Sequence, residues 1–144
     1  MKDHPRILLA EDNQNDVELT LTALREYNLA NRVDVVRDGV EAMDYLCCRA
    51  SYKDRDKKPP VVVLLDIKMP RMDGIEVLRK IKNNSKLQHT PVVMLTSSSM
   101  DRDIIDSYDL GANAYVVKPV VFSNFVEAVK NLGLFWALTN QTAY

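Results

Sequence analysis

Short apolar runs recur along the chain and alternate with amphipathic stretches. Arg6 to Ala10, Val33 to Val36, Val61 to Leu65, Val92 to Leu95 and Ala114 to Val117 are strand-length and mostly β-branched or aliphatic. Asp16 to Tyr27, Gly39 to Arg49, Gly74 to Asn83, Met100 to Leu110 and Phe122 to about Leu138 carry apolar residues at helical spacing. The strand segments are continuously hydrophobic, so both of their faces are expected to be covered. Strict alternation of five strands with five helices predicts a doubly wound α/β fold on a five-stranded parallel sheet. Punctuation agrees: Asp38 and Asp73 stand before Gly39 and Gly74 as helix caps, and Gly111 can end the fourth helix.

Two segments depart from this rhythm. In Arg49 to Pro60, charge and a proline pair replace periodicity, which predicts a solvated loop; a basic docking site is the sharper alternative. In the last helix, Phe122, Phe125, Val126, Val129, Leu132 and Trp136 form a stripe whose first half suits packing on the sheet. Adding Leu134, Phe135 and Leu138 makes its end apolar nearly all round. Such a surface calls for a cover. The preferred cover is a second copy, a homodimer through Phe122, Leu134, Phe135, Trp136 and Leu138, with a docking patch for another protein as the alternative.

Length and charge narrow the class. A chain of 144 residues has room for one domain, taken as 1–144 with a core of about 5–131 and a C-terminal extension over 132–144. With 19 basic against 20 acidic residues there is no excess positive charge, which argues against direct DNA binding. No apolar run has the length of a membrane span or a secretory signal, so the expected location is cytoplasmic. Cys47 and Cys48 are adjacent, a spacing that suits neither a disulfide framework nor a zinc site; buried or half-buried thiols are expected.

In open parallel sheets ligands bind beyond the carboxyl ends of the strands. Here the first strand runs into Glu11 and Asp12, the third into Asp66, the fourth into Thr96 and the fifth into Lys118-Pro119. Singly, each has a local explanation as a cap, a turn residue or a surface charge. Together, three carboxylates at one edge repel one another unless a cation compensates, and an all-oxygen site suits Mg²⁺, with Mn²⁺ as a substitute. Beside such an ion Asp66 can act as a nucleophile toward a phosphoryl donor, with Thr96 and Lys118 contacting the new phosphoryl oxygens.

ILLAEDN, VVVLLDIKMPRMDG, VVMLTSSS and GANAYVVKP, in that order and spacing, resemble the receiver domains of two-component response regulators over about residues 5 to 131. The resemblance implies a flavodoxin-like (βα)5 fold with strand order 2-1-3-4-5 and an extended last helix. It implies Asp66 as phosphoacceptor, Glu11 and Asp12 as the acidic metal pair, and a metal contact from the Lys68 backbone carbonyl. Thr96, Lys118 and Tyr115 would follow the phosphoryl group, across a cis Lys118-Pro119 bond, while Lys68 and Ser98 would tune its lifetime. Ser97 stands where a small apolar residue is more frequent. The implied donor is the phosphohistidine of a sensor histidine kinase; most members of the family transmit through an attached domain, but the sequence runs only a little past the fifth helix, so output is expected by contact with a downstream protein not named by the sequence. The LGLFWALTN ending is similar to that of single-domain regulators paired with phytochromes, which would make the kinase a light sensor. The chain would catalyse only its own aspartyl phosphorylation and dephosphorylation. A metal-dependent phosphohydrolase would need a second acid where Lys68 sits, and a non-phosphorylated binding module would lack one of the acids, the hydroxyl or the lysine.

Overall fold

The computed structural model describes residues 6–26, 28–97 and 109–133. Five strands, β1 (Ile7–Ala10), β2 (Val33–Val36), β3 (Val62–Asp66), β4 (Val92–Thr96) and β5 (Ala114–Val117), form one parallel sheet in the order β2-β1-β3-β4-β5. Four helices are described: α1 (Gln14–Arg25), α2 (Gly39–Leu46), α3 (Gly74–Lys82) and α4 (Phe122–Asn131), with short 3-10 turns at Ala30–Arg32 and Ala50–Tyr52. The expected helix over 100–110 lies almost wholly outside the described residues.

Alternation along the central strands splits the core in two. Leu8, Val63, Leu65, Val92 and Met94 face one side, where Ala42, Met43, Val77, Leu78 and Ile81 of α2 and α3 close over them. Ile7, Leu9, Val62, Leu64, Val93 and Leu95 face the other, under Val17 and Leu24 of α1 and Phe125, Ala128 and Val129 of α4. Both sides are fully buried, which is why these strands are hydrophobic throughout. At roughly 25 cal/mol per Å² of apolar surface, each large side chain here stabilises the fold by about 2 kcal/mol.

Helix ends follow local chemistry. Asn13 caps α1 by accepting from the Asp16 amide, so this helix starts two residues before the expected Asp16. Asp38 and Asp73 cap α2 and α3 by accepting from Glu41 and Glu76, three residues on in each case. Helix α2 stops at Leu46 rather than Arg49, because Cys48 and Ala50 both take left-handed backbone angles. The last helix needs a correction: the continuous helix to about Leu138 is broken, since α4 ends at Asn131 and Gly133 sits at φ 73 with its amide bonded to Lys130 O at 2.9 Å. The apolar residues beyond obscured that stop signal. Leu134, Phe135, Trp136 and Leu138, proposed above as an interface, lie outside the described residues, as does Ser98. Phe122 is half-buried against the α1/α4 side of the core.

The charged loop is also more tightly held than a solvated loop would be. Arg55 places its guanidinium 4.2 Å from the centre of the Tyr45 ring and donates Nε–H to the Tyr45 carbonyl at 2.9 Å, and Tyr52 donates its hydroxyl to Glu41 Oε2 at 2.6 Å. Cys47 and Cys48 are free, half-buried thiols. Among the described residues no helix is long and apolar enough to cross a membrane.

Candidate functional site

The carboxyl edge of the sheet continues its ladder one step past the strands. Glu11 N–H donates to Val36 O at 3.0 Å, Ile67 N–H to Leu95 O at 3.3 Å and Lys118 N–H to Thr96 O at 2.6 Å. These bonds carry the pairing of β1 with β2, β3 with β4 and β5 with β4 past the strand ends, so the exits of β1, β3, β4 and β5 lie along one edge. Asp66 and Thr96 are the last residues of their strands rather than the first of the following loops, and both are buried. Glu11, Asp12, Asp16, Asp66, Lys68, Thr96, Ser97 and Lys118 line one cleft of about 270 Å³ at this edge.

The loop after Asp66 is held by close packing. A Cβ on Gly74 would lie 2.2 Å from the Asp66 carbonyl oxygen, so only glycine lets α3 begin against the phosphoacceptor candidate. Arg71, at φ 66, reaches back to the α2 cap and forms a two-pronged pair with Asp38, Nε to Oδ2 at 3.0 Å and Nη2 to Oδ1 at 3.1 Å. On the α2 side, Gly39 leaves no room for a Cβ, which would meet Met72 O at 2.0 Å.

Lys118 is the electrostatic centre. Its Nζ lies 3.2 Å from Glu11 Oε1, 3.0 Å from Asp16 Oδ2 and 3.1 Å from Asp66 Oδ1. Its peptide bond to Pro119 is cis, as expected. Burial alone would lower the lysine, but the hydrogen bond to Asp16 and the charges of Asp66 and Glu11 outweigh it and hold the ammonium above the usual lysine range. Glu11 and Asp66 are raised too, which for them disfavours the charged form. Burial, reinforced by the Asp66 charge, pushes Glu11 up to about 7 against the pull of the Asn13 amide and of Lys118. Asp66 is raised as well, first by burial, with Lys118 opposing.

Oxygens from Glu11, Asp12 and Asp66 all lie within 4.8 Å of one another. Three carboxylates so close, two of them buried and pushed toward protonation, fit a hard divalent cation, which takes oxygen ligands and leaves the acids ionised. Of the residues expected from sequence, Glu11, Asp12, Asp66, Lys68, Thr96 and Lys118 are brought together. Tyr115 is further down β5, paired with Met94 two residues before Thr96 and half-buried against the α2/α3 side of the core. Asp16 was missed. Its one available signal was position, a turn beyond Asp12 in a segment whose helix starts earlier than the apolar pattern indicates.

A family model described as the response regulator receiver domain matches residues 7–130. The solved bacteriophytochrome response regulator AtBRR is 55% identical, with 96% of this chain and 99% of that chain covered and a TM-score of 0.87. The phosphorylated cyanobacterial phytochrome response regulator RcpA is 40% identical over 92% of this chain and 94% of its own, with a TM-score of 0.76. Response regulator Rcp1 of Synechocystis sp. is 35% identical over 92% of this chain and 89% of its length. Its Mn²⁺-bound form gives a TM-score of 0.73 at 34% identity, covering 94% of this chain and 96% of that one.

Proposed function

The chain belongs to the response regulator receiver family, the switch component of phosphorylation-activated two-component signalling, and on that premise we propose that Asp66 is its phosphoacceptor. The observation that carries the assignment is the shared lysine: Asp66 is the carboxylate that is at once buried at a strand end, 3.1 Å from Lys118 Nζ and within the three-acid cluster. In the transfer, an Asp66 oxygen forms a bond to phosphorus while the donor's bond to phosphorus breaks, and the leaving group departs with the electron pair. The charge that develops on the phosphoryl oxygens is met by Lys118 and by the Thr96 hydroxyl, both lining the same cleft.

Glu11, Asp12 and Asp66 would hold a divalent ion, Mg²⁺ by preference, with the Lys68 carbonyl as a further ligand; the ion supplies neutralisation of an incoming phosphoryl group. Thr96 and Tyr115, on neighbouring strands, form the route by which phosphoryl occupancy is communicated toward β5, and Lys68 tunes the lifetime of the acyl phosphate, a role supported by its lining the same cleft as Asp66. The donor is the phosphohistidine of a sensor histidine kinase. A phytochrome is the favoured kinase, on the strength of the identities to phytochrome response regulators. Output is by protein contact, with a homodimer or a separate downstream protein as recipient.

The assignment is tested by incubating the chain with acetyl phosphate and Mg²⁺ and reading intact mass. The wild type is expected to gain about 80 Da, one phosphoryl group, and Asp66→Asn none. Equal gain on both proteins removes Asp66 from the role.

A further inference from the structure

Lys118 serves three carboxylates, and an ammonium has three N–H donors and no more. Its three anchors are not equivalent. Glu11 and Asp66 have side chains only 1% and 5% exposed and belong to the three-acid cluster. Asp16 is outside that cluster, in the first turn of α1, and its side chain is 25% exposed. The main chain of Asp16 is fixed, because its amide donates to Asn13 Oδ1 at 2.9 Å and its carbonyl accepts from the Thr20 hydroxyl at 2.8 Å. Only the carboxylate is left adjustable.

Building on the assignment of Asp66 as phosphoacceptor, we propose that Asp16 is a positioning residue that competes with the phosphoryl group for Lys118. When Asp66 is modified, its single charge is replaced by a phosphoryl group carrying about −1.5 to −2, and Lys118 must turn an N–H toward the new oxygens. The Asp66 contact passes to those oxygens, and the shift of Nζ toward them strains its two other contacts, to Glu11 and Asp16. The Asp16 contact costs least to release, since that carboxylate regains water, whereas Glu11 would be left buried and unpaired. Until then the Asp16 charge draws Nζ toward α1, and the unmodified state is favoured. Asp16 thereby sets how readily the modified state forms, without touching the reacting atoms.

The test compares wild type, Asp16→Asn and Asp16→Glu with acetyl phosphate and Mg²⁺ by time-resolved intact mass. Asp16→Asn is expected to be phosphorylated about three- to fivefold faster, on the order of what releasing one partly exposed ion pair supplies, and Asp16→Glu to return toward wild type. Affinity for beryllofluoride, a phosphoryl mimic, is measured by calorimetry for Asp16→Asn in wild-type and Lys118→Ala backgrounds. It should tighten by a similar factor in the first and not change in the second. Mg²⁺ affinity of Asp16→Asn, also by calorimetry, should stay within about twofold of wild type, because a ligand to the metal would lose more. Equal tightening in both backgrounds, an unchanged or slower Asp16→Asn, or a tenfold loss of Mg²⁺ affinity overturns the role for Asp16 and leaves Asp66 in place. A wild type that gains no mass overturns the phosphoacceptor assignment, and the inference with it.

Discussion

Asp34 and Asp66 are carboxylates on strands of the same sheet, and their surroundings treat charge in opposite ways. Asp34, on β2, receives Arg6 Nη2 at 2.7 Å, Arg6 Nε at 3.2 Å and the Tyr45 hydroxyl at 2.5 Å. Burial would raise this acid, but hydrogen bonds from Arg6 and Tyr45 outweigh it and hold the carboxyl below its usual range. At the carboxyl edge, Glu11, Asp16 and Asp66 share one ammonium, and both Glu11 and Asp66 are raised. An acid supplied with its own donors is a finished structural element, whereas acids in excess of their cations form a site that awaits positive charge.

The sharpest way to break this contrast is to disturb the backbone beneath the unbalanced acids. Gly74→Ala would press a methyl group against the Asp66 carbonyl and is expected to cost about 3 kcal/mol of stability, read as a shift of the urea midpoint, together with a loss of phosphoryl uptake. A fully stable Gly74→Ala would mean that α3 can retreat from the site. A paired comparison comes next. Asp34→Asn should lose about 1 to 3 kcal/mol with or without Mg²⁺ and keep its Mg²⁺ affinity, because it leaves good donors unmatched far from the cleft. Glu11→Gln should stabilise the metal-free protein, since it removes a crowded charge, while weakening Mg²⁺ binding at least about tenfold. Calorimetry and urea unfolding separate the two, and identical behaviour would erase the distinction.

The smallest effect is one of pH. Glu11 gives up its proton near 4.5 in the unfolded chain and at about 7 in the fold. Between those values the unfolded state binds fewer protons, so metal-free stability should fall as pH rises from about 4.5 to 7 and level off above. Glu11→Gln should flatten that slope in thermal melts with chelator present. A mutant slope equal to wild type would move the raised acid elsewhere.

Much of this was legible because it is encoded locally. Continuous apolar runs marked the strands, and Asp-Gly pairs marked two helix starts. Glu11, Asp12, Asp66, Thr96 and Lys118 stood where strands end, so topology alone carried them into one cleft. What escaped depends on long-range geometry. The Asp16 to Lys118 contact joins residues 102 positions apart, and no periodicity encodes it. The fold-back of Arg55 onto Tyr45 was hidden because a charged, proline-bearing segment reads as solvated whether or not one arginine finds a ring. Gly133 was overlooked because the apolar residues around it imitate a continuing helix.

The two glycine contacts and the Arg71 to Asp38 pair make the segment from Ile67 to Asp73 a ruler. One end is pressed against the Asp66 carbonyl and its middle against the start of α2, so neither an added nor a deleted residue can be absorbed by a bulge. A residue inserted between Ile67 and Asp73 is therefore expected to lift the start of α3 off the Asp66 carbonyl, whereas a change of side chain that keeps the residue count would leave that spacing intact.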